Sequence, residues 1–473
     1  MNLMLYLLFC AVLHTDSKIP FSEGIVLKQQ ELKRDLKNRH VQLIAIGGTI
    51  GTGLFLGAGK AISLAGPSIL LAYIIVGTFL FFIMRALGEL LLSKGGYSSF
   101  LEFATEYLGD WVGYITGWTY WFCWIMIAMA DMIAVGMYVQ YWLEIPQWIP
   151  SIICLVLLLF LNLLTVKLFG ELEFWFALIK IVTIVALIIM GIVLLIIGFE
   201  TDTGKVAVSN LWSHGGLFPN GVHGFLMAFQ MVVFAFVGME LIGITAAETQ
   251  DPKKNIPSAI NKIPLRILLF YVGALFVILM INPWDSLNAA SSPFVQVFAL
   301  VGIPVAAGVI NFVVITSAAS AGNSGLFSTS RMLFTLAKNH QAPESLNHLN
   351  KNSVPQNGLF VSAIIVSIGA LLSYLMPDEA FNVVTTISAI CFLWVWGVII
   401  ISHIVYQKRH PKLHETSTFK APLTPFINYV ILAFFVFLLV LMGISEETRT
   451  ALFLTPIWFI LLAIIYMVRR RRK

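Results

Sequence analysis

The chain has 473 residues, 59% of them hydrophobic and only 11% charged, with a mean hydropathy of +0.89 and a formal net charge of +5. Soluble domains average about 25% charged residues, so a water-soluble globular protein is excluded. Apolar runs of about 20 residues recur along almost the whole chain, each long enough to cross about 30 Å of hydrocarbon, and the fold class is an all-α integral membrane protein.

The first sixteen residues, MNLMLYLLFCAVLHTD, have a short apolar part with no positive residue before it. They read as a loose tail or a mis-assigned start rather than a signal peptide. Residues 1–40 are predicted to form an N-terminal tail. Twelve spans follow, at about 41–64, 67–91, 113–142, 147–166, 174–198, 223–247, 264–282, 304–336, 357–376, 381–405, 424–443 and 451–468. The eighth merges with an amphipathic tail ending near Ala337. The four cysteines, Cys10, Cys123, Cys154 and Cys391, lie in apolar runs and suggest neither a disulfide framework nor a metal site.

Span one contains IGGTIGTGLF, with Gly47, Gly48, Gly51 and Gly53 at mid-depth. Each costs about 1 kcal/mol against alanine in a helix, so a helix needed only to cross lipid would not keep four. Span six contains FAFVGMELIGITAAET, where Gly238 and Gly243 flank Glu240. Unwound backbone is tolerated in a bilayer only beside a protein-lined cavity. Breaks at corresponding places in two halves are the best sequence pointer to a transporter's binding site. Spans one and six are five apart, which predicts two inverted repeats, 41–198 and 223–405, then two further helices over 424–468 and a basic tail at 469–473.

Such breaks suit a zwitterion. Free N–H groups of a half-helix starting near Gly51, from Ile50, Gly51, Thr52 and Gly53, favour a carboxylate. Carbonyls ending the preceding half-helices, at Ile46, Gly47 and from Phe234 through Ala235 and Phe236 to Val237, favour an ammonium. Glycine spacing alone would equally serve helix packing. Two breaks with a charge beside one favour a site.

Ionisable residues at membrane depth are candidate functional groups. Lys180, two turns into span five, either exchanges a proton or snorkels to the near interface. Glu240 either pairs with Lys180, carries a proton or fixes the broken helix. Asp131 in span three either partners helix ends or acts directly in transport. Arg85 and Glu89, four residues apart, read as an interfacial ion pair, and Glu248 as a loop group. Ser317, Ser320, Asn323, Ser324 and Ser328 stripe span eight. Trp118, Trp121, Trp124, Trp394 and Trp396 either wall a pocket or serve as packing and lipid-belt residues.

Lysine and arginine collect before span one, in alternate loops and in the tail Arg469–Lys473, whereas the other side has few, among them Lys205 and Arg449. This bias predicts both termini in the cytoplasm. The RRRRK tail is a juxtamembrane stop signal and needs no nucleic-acid partner.

IGGTIGTGLF, GYITGWTYWFCW, GELEFWFALIKI, VFAFVGMELIGITAAET, NFVVITSAASAGNSGLFSTSRMLF and TPIWFILL resemble the amino-acid permeases of the amino acid–polyamine–organocation superfamily, from about Leu32 to Met467. The resemblance implies a bacterial inner-membrane proton symporter with twelve helices, five plus five in an inverted repeat of the leucine-transporter type, and two more. It places the family's glycine-rich segment on Gly47, Gly48, Gly51 and Gly53 and its aromatic-rich break on Phe234, Phe236 and Gly238, and Phe236 is expected to close over the substrate as an outer gate. It also places Glu240 in the break of helix six and implies proton coupling at Lys180. GAGKAISLAGPS, TGWTYWFCW, SAASAGNSGLFSTSRMLF and HETSTFKAPL are most similar to family members whose substrates are D-alanine, D-serine and glycine. No cofactor is implied beyond the proton, and the partners are a small neutral amino acid and membrane lipid, with oligomeric state left open. An exchanger, or a permease for another amino acid such as proline, remains an alternative. A ligand sensor lacks a signalling domain here, and an enzyme lacks a nucleophile–base pair or metal cluster at membrane depth.

Overall fold

The computed structural model describes residues 50–93, 99–164, 166–241, 251–302 and 304–472. Ile46, Gly47, Gly48, Gly243, Glu248 and the N-terminal tail lie outside the described residues.

The first span contributes two short pieces, α1 (Thr52–Phe55) and α2 (Gly57–Ala65), offset at Leu56. Gly66, at φ 59°, and Pro67 then turn the chain into α3 (Ile69–Ser93). Only glycine fits this turn, because a Cβ would run into the Pro219 ring. Ser99 caps α4 (Phe100–Leu108) by accepting the Leu101 N–H at 3.2 Å. There follow α5 (Asp110–Val139), α6 (Trp148–Leu164) and α7 (Val166–Ile196). A two-residue antiparallel hairpin, β1 (Glu200–Thr201) with β2 (Gly204–Lys205), leads to α8 (Gly221–Met227) and α9 (Phe229–Ala235). Next come α10 (Pro252–Asn261), α11 (Ile263–Arg266), a π-helical stretch Ile267–Gly273, α12 (Ala274–Ile281) and α13 (Pro293–Leu300). The chain closes with α14 (Pro304–Lys338), α15 (Gln356–Leu375), α16 (Ala380–Arg409), α17 (Pro411–Glu415), α18 (Phe426–Ile444) and α19 (Glu446–Arg472).

Among the described residues, nine helical stretches are long and apolar enough to cross a membrane, and Trp148–Leu164 and Gly221–Ala235 are shorter apolar helices. One of the nine, Gly57–Ser93, runs through the Gly66 turn. The protein is an all-helical, multi-pass membrane protein.

Helix α5 is the centre. It packs mainly against α14 and α16. Of its most apolar window 89% is buried, against 28% for α19. A helix apolar on all faces belongs inside, and one apolar outward belongs against lipid. Ile153, Val156, Leu157 and Phe160 on α6 and Ile189, Ile192 and Val193 on α7 turn large side chains outward accordingly.

Arg85 and Glu89 do not pair with each other. Arg85 donates to Asn261 Oδ1 at 2.9 Å and Lys420 O at 2.6 Å, lying over the Phe419 ring. The buried Glu89 carboxylate instead accepts from His403 Nε2 at 3.0 Å, His414 Nδ1 at 2.7 Å and the Ala421 N–H at 2.7 Å. Asn428 donates to His403 Nδ1 and Gln407 to His414 Nε2, which leaves each imidazole its other N–H for the carboxylate. The four-residue spacing on one helix face was overridden because the loop after α16 folds back and supplies better-placed partners.

Candidate functional site

Among the described residues, spans one and six each depart from regular helix. Helix α1 begins at Thr52, with Gly51 before it in extended backbone and no side-chain cap. The Leu54 and Phe55 N–H groups both turn back on Gly51 O, at 3.1 Å. Helix α9 stops at Ala235, and Phe236–Glu240 form turns around Gly238 at φ 88°. The two breaks touch. A Cβ on Gly53 would lie 2.6 Å from Ala235 Cα, so only glycine permits the approach. The π-helical stretch holds the second break, since Tyr271 donates to Ala235 O at 3.3 Å.

Between the breaks lies a cavity of about 50 Å³. Its walls include Gly51, Thr52, Gly53, Asp131, Lys180, Phe234, Ala235 and Ser320, with Trp124 and Ser324. Thr52 Oγ1 donates to Asp131 Oδ1 at 2.8 Å. Asp131 is fully buried and its Oδ2 has no hydrogen-bond partner among the described residues. A buried carboxylate oxygen without a donor is costly, so the cavity is built to receive one.

Lys180 does not snorkel. It is 1% exposed and donates to Ser320 Oγ at 3.2 Å. Ser320 donates to Glu173 Oε2 at 2.8 Å, and Asn323 Nδ2 donates to Glu173 Oε1 at 3.0 Å. Asn162 Nδ2 in turn donates to Asn323 Oδ1 at 2.6 Å. A buried ammonium and a buried carboxylate are thus linked through one hydroxyl, which offsets the cost of taking both from water. Glu173 and Asn162 were missed by the sequence reading. Glu173 carried a signal, because seven residues before Lys180 is two helical turns and the same face.

Several expected residues stand elsewhere. Glu240 accepts from Tyr120 OH at 3.1 Å, not from Lys180, and its Oε2 is unpartnered among the described residues. Phe236 does not cover the cavity: fully buried, it stacks on Tyr271 with centroids 4.8 Å apart and meets Tyr73 at 5.6 Å. Gly238 likewise lies off the cavity wall, against the Trp124 ring. The Phe236 turn points that ring away from the cavity, leaving Phe234 and Trp124 as its aromatic walls. Ile50 is tied by its carbonyl to Ser317 Oγ at 3.4 Å. Trp118 and Trp394 donate to Gln341 O and Thr116 Oγ1, as packing residues do.

Sequence comparison agrees with a solute carrier. The amino acid permease family model matches residues 40–473. The uncharacterized transporter YdgF of Bacillus subtilis is 61% identical over 94% of this chain and 98% of its own length. The amino-acid permease AapA of the same organism is 60% identical over 94% and 96%. The D-serine/D-alanine/glycine transporter of Escherichia coli K12 is 54% identical over 92% and 94%. With two helix ends meeting at a small cavity and relatives matched almost end to end, the chain belongs to the amino acid permease family and is a transporter, not an enzyme.

Proposed function

We propose that the protein takes up small neutral amino acids, with D-alanine, D-serine and glycine as substrates, together with a proton, across the bacterial inner membrane. In this reading twelve helices cross the membrane, the first ten as two inverted repeats, and both termini are cytoplasmic. The substrate carboxylate sits at the uncapped start of α1, on the N–H groups from Gly51 to Gly53. Its ammonium meets the free Asp131 oxygen and the Phe234 and Ala235 carbonyls. The observation that carries the reading is the unpartnered, fully buried Asp131 oxygen in a cavity opened by a helix N-terminus. An acceptor and donors at opposite sides of so small a space complement a zwitterion with little side chain.

Proton movement is assigned to Lys180, buffered by Glu173 through Ser320, with Glu240 as a second group. Proton and substrate must each bind one of the outward- and inward-facing states more tightly to drive the cycle. Purified protein in liposomes containing only buffer should accumulate labelled glycine under an inward proton gradient. Uptake only when an amino acid is trapped inside means exchange instead. Gly51→Leu, whose side chain would fill the cavity beside Ala321, should abolish uptake with insertion intact; normal uptake refutes the site.

A further inference from the structure

At the membrane face bearing the C-terminal arginines, two cavities share a wall. One, of about 460 Å³, is polar, and Asp110, Trp111, Tyr114, His340, Arg469 and Arg470 are among its walls. The other, of about 470 Å³, is an apolar groove whose walls include Trp111, Val112, Trp394, Gly397, Phe435 and Phe459. Trp111, the indole common to both, is 50% exposed.

The polar cavity is basic. Arg469 is already committed, donating to Gln341 O at 2.9 Å and His340 O at 2.5 Å. Arg470, next in sequence and exposed, makes no hydrogen bond or ion pair among the described residues. The Tyr114 hydroxyl is buried and unpartnered among them. Two guanidinium groups face one carboxylate, Asp110, which occupies the first turn of α5, where the helix dipole already balances it. The surplus is positive, with free N–H and O–H donors.

The groove runs inward from there. Its wall on α16 extends from Ile401 to Ile390, roughly 16 Å at the helical rise, about half the hydrocarbon thickness and so the depth of one leaflet. At Gly397 a Cβ would meet nothing within 4 Å, so the groove is open at its middle. We infer that the two cavities form one site for an anionic glycerophospholipid of that leaflet. Its phosphodiester lies on Arg470 and the Tyr114 hydroxyl, and one acyl chain passes Trp111 and lies along Gly397 toward Phe459. A soluble phosphate would satisfy the first cavity alone. The contiguous apolar groove, one leaflet deep, selects a lipid. The site lies on the face proposed above as cytoplasmic but does not depend on transport.

The test is native mass spectrometry of the delipidated full chain with added dioleoyl phosphatidylglycerol, phosphatidylethanolamine or phosphatidylcholine, read without any uptake assay. Phosphatidylglycerol should be retained preferentially, with Arg470→Ala weakening it about fivefold. Gly397→Phe, which projects into open space, should weaken it by about tenfold or more by excluding the chain. Equal retention of all three lipids, or unchanged retention in both variants, overturns the proposal. So does displacement of the lipid by glycerol 3-phosphate at equal concentration, which would assign the polar cavity to a soluble phosphate.

Discussion

Gly53 shows how much one missing methyl group decides. Its Cα faces Ala235 closely enough that any side chain would strike backbone, which cannot rotate away. Gly53→Ala should therefore separate the two breaks, at about 1–3 kcal/mol for overpacking, and uptake should fall while the protein still reaches the membrane. Flux and surface amount measured on the same cells check this. Lys180→Ala should remove acid stimulation of glycine uptake; a pH profile identical to wild type would place the proton elsewhere. At this scale the sequence was legible where a residue is costly in its setting. Glycine at mid-depth and lysine in a span both announce themselves. Glu173 was visible only through its spacing from Lys180, and Asn162 not at all, because its partner Asn323 stands on α14, 161 residues away, where no local pattern reaches.

Elements were legible by composition and period, and their ends less so. The long α14 runs through to Lys338 as its apolar pattern and amphipathic tail predicted. The Phe236 turn was placed correctly as a break, but the direction of its ring was not readable, since turn dihedrals and the π-helical Tyr271 opposite decide it. The Glu89 cage joins α3, α16, α17 and the segment after α17 through groups more than 300 residues apart. Glu89→Ala would leave two imidazole N–H groups and the Ala421 N–H without their acceptor, at about 1–3 kcal/mol for each buried donor so stranded. The thermal midpoint in detergent should fall, and protease cutting between α17 and α18 should become faster. An unchanged melt with unchanged cutting would mean the cage ties nothing down.

For the whole molecule, charge bias in the loops sets an orientation that can be checked directly. A tag after Lys473 should be cleaved by protease added to inside-out vesicles and protected in right-side-out ones. The membrane class was readable from 11% charged residues alone. Helix neighbourhood was not, because α5 sits at the centre through packing with α14 and α16, far away in the chain. The contact of Gly53 with Ala235 has a mechanical consequence. A joint of main chain on main chain has no rotamers with which to yield, so the two spans resist sliding past one another there. Whatever admits the solute must swing about this point, leaving it as the pivot, or part the two spans bodily.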